Sequence, residues 1–235
     1  RSRKYADIVL VGPEAIRNIS GFEVIVDSAP EEKLAQMLAN DEFAGIVRGT
    51  IDDFKTYEAY QKFTGESFTD ELGILEDVTG RRLFLAPASN PEGWEKEQRL
   101  VIATGLAKFA KEWKIPAKVA IYTGMRHETY KRKKDIKEGV VGILSKTYED
   151  AEWIVEELRK RDIEAKNWSI DFDLAANDGY TIHIPVNGMV GNQMFRVLLL
   201  CGGRMLVGTR LGLSRPWEDN SRNEEDFDYH IKWLV

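Results

Sequence analysis

Three short turns hold the residues of this chain best suited to chemistry. Asn187-Gly188-Met189-Val190-Gly191-Asn192 lies between a β-branched, aromatic run and a long apolar one, so it reads as a strand exit and a helix start. Glycine there permits close backbone approach, and a helix start presents unpaired N–H groups, a combination that suits an anion. Arg48-Gly49-Thr50 and Thr123-Gly124-Met125-Arg126 repeat the arrangement with a guanidinium beside the glycine. Forked guanidinium donors suit phosphate or carboxylate. The candidate ligand-binding set is therefore Arg48, Gly49, Thr50, Gly124, Arg126, Asn187, Gly188, Gly191 and Asn192, and the expected ligand is an anionic small molecule. The same glycines serve equally well in tight turns that admit close packing, and that reading stands beside the first.

Other chemistry has less support. His127, His183 and His230 lie on separate elements, without the three- or four-residue spacing of a helical metal pair. His127, in a loop after a strand, is the one placed for hydrogen bonding or acid–base work, while His183 reads as a satisfied strand residue. Asp171 and Asp173 read as an acidic turn ahead of Asn177-Asp178-Gly179, and no protein-bound metal is expected. Arg196 is the only charge in its helix and either reaches the anion or meets a neighbouring carboxylate. Arg204, Arg210, Arg215 and Arg222 are interleaved with acids and read as solvated. Cys201, the lone cysteine, ends an apolar helix and is expected in the core. The chain has no Gly-x-Ser-x-Gly elbow, dinucleotide fingerprint or Walker lysine loop, so covalent catalysis and nucleotide hydrolysis are not indicated.

Alternating strands and helices are needed to position these turns. Runs at 7–11, 22–26, 43–47, 83–86, 118–122, 163–170, 180–186 and 204–209 read as strands. Capping patterns at Ser28 with Glu31, Thr50 with Asp53, Thr147 with Asp150 and Ser221 with Glu224 precede helical apolar stripes, and a further helix runs to about Trp113. This order implies an α/β fold with a doubly wound, mainly parallel sheet. Right-handed crossovers then gather the strand exits at one edge, so Arg48, Arg126 and Asn192 are expected to converge. The 235 residues suffice for a single α/β unit, or for two lobes with a cleft between them and a boundary near residues 87–118.

Composition narrows the partners. A formal net charge of -6 argues against general nucleic-acid affinity. No apolar run approaches the roughly 18 residues of a membrane span, and Arg1-Ser2-Arg3-Lys4 lacks a signal peptide's apolar segment. A cytoplasmic protein without membrane insertion is the expectation.

Taken together, these motifs resemble a known group. Val186 to Asn192 is similar to the Asp-Gly-x-x-Gly-Asn loop of the phosphate acetyl/butyryltransferases and fatty-acid acyl-phosphate synthases, which share the isocitrate/isopropylmalate dehydrogenase-like (phosphotransacetylase-like) fold. Most of the chain resembles more closely the methanogenesis marker protein 4 family, also described as methyltransferase subunit X. That likeness rests on Ile46 to Thr50, Leu85-Ala86-Pro87 with Glu92-Gly93-Trp94, Gly191 to Arg196, and Glu218 to Arg222 leading to Asp226-Phe227 and His230-Ile231-Lys232. It implies a cytoplasmic archaeal homodimer of transferase type, with coenzyme A or a phosphorylated molecule as ligand and methanogenesis enzymes as partners. Acyl transfer, methyl transfer to or from a pterin or corrinoid carrier, and a non-catalytic binding or assembly role all remain open. The acyltransferases place an aspartate near the transferred group where this chain has Asn187, which cannot act as a base.

Overall fold

The computed structural model describes residues 2–68, 70–89, 92–112, 114–220 and 226–234. In chain order its elements are β1 (Val9–Gly12), β2 (Glu23–Val26), α1 (Pro30–Ala39), β3 (Ile46–Val47), α2 (Asp53–Thr64), β4 (Asp70–Glu76), β5 (Arg82–Leu85) and α3 (Lys96–Glu112). They continue with β6 (Val119–Tyr122), α4 (His127–Lys133), α5 (Gly139–Arg159), β7 (Ala165–Ser169), α6 (Phe172–Asn177), β8 (Ile182–Ile184), α7 (Gly188–Leu200), β9 (Arg204–Leu211), β10 (Trp217–Glu218) and α8 (Asp228–Leu234). Two compact units result, Arg1–Thr69 with Leu206–Val235, and Asp70–Met205. The capping pattern of Ser221 with Glu224, together with Arg222 and Trp113, lies outside the described residues.

In the first unit β1 pairs with β2 in parallel, and β10 pairs in parallel with β3 and antiparallel with β9. Leu34, Ala35 and Leu38 of α1 and Ala59 and Tyr60 of α2 share a core with Ile46 and the fully buried Trp217. Tyr60 meets the Trp217 ring edge-on at 5.6 Å. Two helix starts differ from expectation. Ser28 does not cap α1; Ala29 stands at the cap, and its N–H is taken by the Asp27 carboxylate at 2.8 Å, with Pro30 supplying the first-turn geometry. Asp52, rather than Thr50, caps α2 by accepting the Lys55 N–H at 3.0 Å.

The second unit carries strands in the order β4-β5-β8-β6-β7, antiparallel between β4 and β5 and parallel from β5 onward. Alternation along the strands sends successive side chains to opposite faces. Phe84 meets Phe109 of α3 on one face, while Leu85 joins Phe195 of α7 and Ala120 and Tyr122 join Ala175 of α6 on the other. Helices therefore cover both faces of a mainly parallel sheet, as the strand–helix alternation implies. The β4–β5 hairpin has no clear strand-pair signal in the sequence, although Asp77 marks its turn by accepting from the Thr79 and Arg81 N–H groups.

α5 starts at Gly139, eight residues before Thr147, which is interior to the helix, as is Asp150. Gly142, Ser145, Tyr148, Ala151 and Val155 extend its buried stripe backward at helical spacing, and that packing overrides the local Thr-x-x-Asp signal. Cys201 is exposed, contrary to the core placement expected from its apolar surroundings. α7 buries one side only, through Gly188, Gly191 and Phe195, and leaves Leu200 85% exposed. Among the described residues no helix is long and apolar enough to cross a membrane.

His183 is fully buried in β8, where Nδ1 and the Tyr122 hydroxyl share a 2.6 Å hydrogen bond, with Phe172 packed alongside. Burial pushes its pKa down to about 3. The unfolded chain therefore binds a proton that the folded chain refuses between about pH 6.5 and 3, so stability falls as pH drops through that window. Keeping the imidazole neutral costs about 1.4 kcal/mol for every pH step below its ordinary pKa, and a loss of several kcal/mol is expected by pH 4. Urea midpoints across pH 4–7 check this: the acid limb should flatten in His183→Gln, and an identical limb in both proteins would contradict it.

Candidate functional site

Arg48 leaves the end of β3 and turns inward. Its side chain is 6% exposed, with Nε bonded to the Asp219 carboxylate and 3.9 Å from that of Asp53. Its Nη atoms donate to the carbonyls of Ile51 and Asn220 at 3.2 and 2.6 Å. The guanidinium thus clasps the exit of β3, the start of α2 and the exit of β10. Arg210 of β9 completes the group: Nη2 bonds Asp53 at 2.5 Å, and the guanidinium carbon lies 4.7 Å from the Tyr57 and Phe68 ring centres. Gly49 follows Arg48 with nothing within 4 Å of where a side chain would project, and Thr50 is exposed.

Burial and the neighbouring Asp219 charge raise the Asp53 pKa, against the pull of Arg210 and Arg48. One Asp53 oxygen, Oδ1, is buried without a hydrogen-bond partner, as are both polar side-chain atoms of Asn220. Beside this group Glu218, fully buried, accepts from the Gly208 N–H at 2.5 Å and pairs with His230 Nδ1 at 2.6 Å. Burial pushes its carboxyl up to about 7. Arg210 and Glu218 are thus core groups, not the solvated surface charges their acid-rich neighbourhood suggests. Their β-strand placement decides it: β9 is buried on both faces, so the adjacent Thr209 and Arg210, like Leu206 and Val207 before them, are all buried, and Thr209 pairs with Glu218 of β10. Asp53, Asp219 and Asn220 carry no signal of this role in the sequence, since a single polar residue in a helix start or loop has no diagnostic spacing.

In the second unit the Asn187 turn lies against Pro87, Ala88, Ser89 and Glu92. Asn187 is buried and caps α7, its side-chain oxygen accepting the Val190 N–H at 3.0 Å. The Gly188 N–H donates to the Glu92 carbonyl at 2.8 Å, and Asn192 Nδ2 to the Ala88 carbonyl at 3.0 Å. Side chains at 188 or 191 would run into the Ser89 or Pro87 carbonyl oxygens, so these glycines accommodate another stretch of this chain's own backbone. Gly124 packs toward Leu144 and donates its N–H to Thr147 at 2.8 Å. Arg126, 62% exposed, reaches Asp171 at 3.0 Å, and His127 Nδ1 meets the Tyr148 hydroxyl at 2.5 Å. The predicted residues are therefore divided, Arg48, Gly49 and Thr50 in the first unit and the other six in the second. Among the described residues no group of three or more His, Cys, Asp or Glu side chains could hold a metal ion.

No family model matches the chain. It is 27% identical over 201 residues to a protein of Methanosarcina mazei named "Putative methyltransferase mtx subunit X", covering 85% of this chain and 69% of that one. A protein of the same name from Methanosarcina barkeri is 26% identical over 217 residues, covering 92% and 75%. Among solved structures, a branched-chain phosphotransacylase from Enterococcus faecalis superposes with a TM-score of 0.62 at 15% identity, covering 91% of this chain and 81% of that one. A phosphotransacetylase from Staphylococcus aureus gives 0.58 at 14% identity, with 92% and 78% covered. In sequence the chain is thus similar to methanogen proteins named methyltransferase subunit X, as its motifs imply, and in fold to the phosphotransacetylases.

Proposed function

We propose that the chain is a transferase-type protein that holds a phosphate-bearing molecule, an acyl phosphate or a coenzyme-linked group such as coenzyme A at a cleft lined by glycine, arginine and asparagine. The observation that carries this reading is the buried cluster where β3 and β10 end, with the Asn220 amide and one Asp53 oxygen unpartnered. Ligands of open α/β sheets bind outside the carboxyl ends of parallel strands. Two guanidinium groups meet two carboxylates there, so the charges of the cluster offset one another and the unpartnered Asn220 amide is the donor left for a ligand. In this reading Gly49, Thr50 and Asn220 meet the ligand, and the exposed Arg126 is an anion contact of the second unit. Arg48, Gly124, Asn187, Gly188, Gly191 and Asn192 hold the loops of their own units in place. The dehydrogenase-like classification of the scaffold and a homodimeric state belong to the same proposal.

Calorimetric titration with phosphate, acetyl phosphate and coenzyme A tests it. Binding of at least one is expected, weakened about tenfold or more in Asn220→Asp, equivalent to ~1.4 kcal/mol, because the new carboxylate repels an anion. No heat with any of the three, or equal affinity in the variant, would refute the proposal.

A second reading has its own observation. Asn187 spends its side-chain oxygen on the cap of α7, at the position where the acyltransferases carry an acid. This favours methyl transfer involving a pterin or corrinoid carrier, or an accessory role beside methanogenesis enzymes, over proton-assisted acyl transfer. The methyltransferase names of the sequence relatives point the same way. Methyl-transfer assays with purified carrier distinguish turnover from carrier binding alone.

A further inference from the structure

In the second unit β6 and β8 are neighbouring parallel strands, with Ile121 opposite Ile184, yet the chain leaves them toward opposite faces of the sheet. After β6 it reaches α5, which packs beside α3 on the Phe84 face. After β8 it enters α7, whose Phe195 lies against Leu85 on the other face. Such a switch point is where ligands of open α/β sheets bind. Two loops leave the sheet side by side there. Asn187, just past the end of β8, is spent on the cap of α7. His127, which follows β6 and opens α4, is exposed. His183 and His230 are fully buried, so His127 is the one histidine of the chain that a ligand can reach.

The His127 ring is held from behind. Its Nδ1 meets the Tyr148 hydroxyl at 2.5 Å, and Tyr148, on α5, is 5% exposed and stacked on Tyr130 with ring centres 4.1 Å apart. One turn further along α5, Glu152 accepts a hydrogen bond from the same hydroxyl, and burial together with this carboxylate pushes the Tyr148 phenol up to about 12. Glu152 is held in turn by the Asn167 amide of β7, which donates to it at 2.7 Å. A carboxylate only accepts, so the phenol proton is directed at Glu152 and the phenol oxygen accepts from Nδ1–H of His127. The tautomer that follows leaves a lone pair on Nε2, the ring nitrogen away from Tyr148. A histidine oriented by a partner that is itself oriented by a third group is the arrangement of an acid–base site.

A lone pair repels the oxygens of phosphate and carboxylate and calls for a group that carries a proton. Among neutral protic groups, thiols ionise near about 8.5, closest to the ordinary imidazole range near about 6.5. We propose that His127 Nε2 is a general base that takes the proton of a thiol on the molecule bound at this edge, with Tyr148 and Glu152 as positioning residues. The choice of a thiol rests on the coenzyme-linked ligand proposed above; the base rests on the relay. In the step the S–H bond breaks, its electron pair stays on sulfur as a thiolate, and the proton forms the Nε2–H of an imidazolium.

Nitrogen NMR of the imidazole ring in the full chain near about pH 8, assigned with His127→Gln, reads both parts. The Nδ1–H tautomer is expected to be the majority form in the wild type, and the minority form in Tyr148→Phe. Should that variant fail to fold, Glu152→Gln, at an exposed position, carries the same test. Coenzyme A should move the Nε2 resonance saturably toward its imidazolium position, whereas acetyl-coenzyme A, with the same phosphates but no free thiol, should leave it in place. A wild-type ring in the Nε2–H form would overturn the proposal whatever binds. Calorimetry on the same samples separates the remaining failures: no heat from coenzyme A overturns the thiol assignment, and heat without movement of Nε2 overturns the base while leaving the reading above standing.

Discussion

Replacing Gly191 by alanine is expected to destabilise the protein by about 3 kcal/mol or more, although alanine is the better helix former by about 1 kcal/mol. The reason is contact, not conformation. A methyl group at 191 would stand 1.9 Å from the Pro87 carbonyl oxygen and 2.9 Å from the Pro185 ring. Backbone cannot rotate away as a side chain can, so α7 and the stretch from Pro87 to Ser89 must separate. Separation also strains the Gly188 bond to Glu92 and the Asn192 bond to Ala88, each contributing on the order of 1 kcal/mol. Gly188→Ala should behave alike, since its methyl would lie 1.8 Å from the Ser89 oxygen. Gly49→Ala is the control: it meets nothing within 4 Å and should change stability by no more than about 0.5 kcal/mol. Urea unfolding of the three variants measures the contrast. Wild-type stability in Gly191→Ala would mean that the stretch from Pro87 to Ser89 does not rest on α7.

Arg48→Ala is expected to cost about 3 kcal/mol. Breaking a buried ion pair from one side typically costs ~3–5 kcal/mol because the partner's charge is left behind. Here the partners are Asp219, 30% exposed, and Asp53, 14% exposed, and solvent at Asp219 places the figure at the lower end. The carbonyls of Ile51 and Asn220 lose their donors as well. Arg48→Lys should recover only a small part, since one ammonium cannot replace a planar fork spanning three chain segments. The double variant Arg48→Ala with Asp219→Ala should be less damaged than the sum of the two single variants, by about 1 kcal/mol or more, because the orphaned charge is removed with its partner. Additive losses in chemical denaturation would show that Arg48 and Asp219 do not act as a pair.

The two variants separate two uses of the same sequence pattern. A glycine beside a strand exit reads as room for a ligand, and at Gly188 and Gly191 the room is filled by the chain's own carbonyls. An arginine beside such a glycine reads as a free fork, and Arg48 is bound on three sides. Neither outcome is visible in spacing, because the groups that occupy these residues come from positions about 100 and 170 residues distant along the chain. Helix starts show the same limit on a smaller scale: the Thr147 signal is locally sound, yet α5 begins at Gly139 because its buried stripe continues backward.

Local pattern determined a good deal by itself. The alternation of β-branched runs with helical stripes was enough for an α/β fold with a mainly parallel sheet, since the periods of 2 and 3.6 are properties of each segment alone. The motifs around Arg48, Pro87 and Gly191 were enough to reveal the methanogen relatives. Only the tertiary structure decided which charges are buried. Arg210, Glu218, Asp53 and Arg99 look in the sequence like any polar residue among polar neighbours, and burial is fixed by what packs above them. Desolvation is a many-body property of the fold, and it is what sets these four ordinary residues apart from the solvated charges around them.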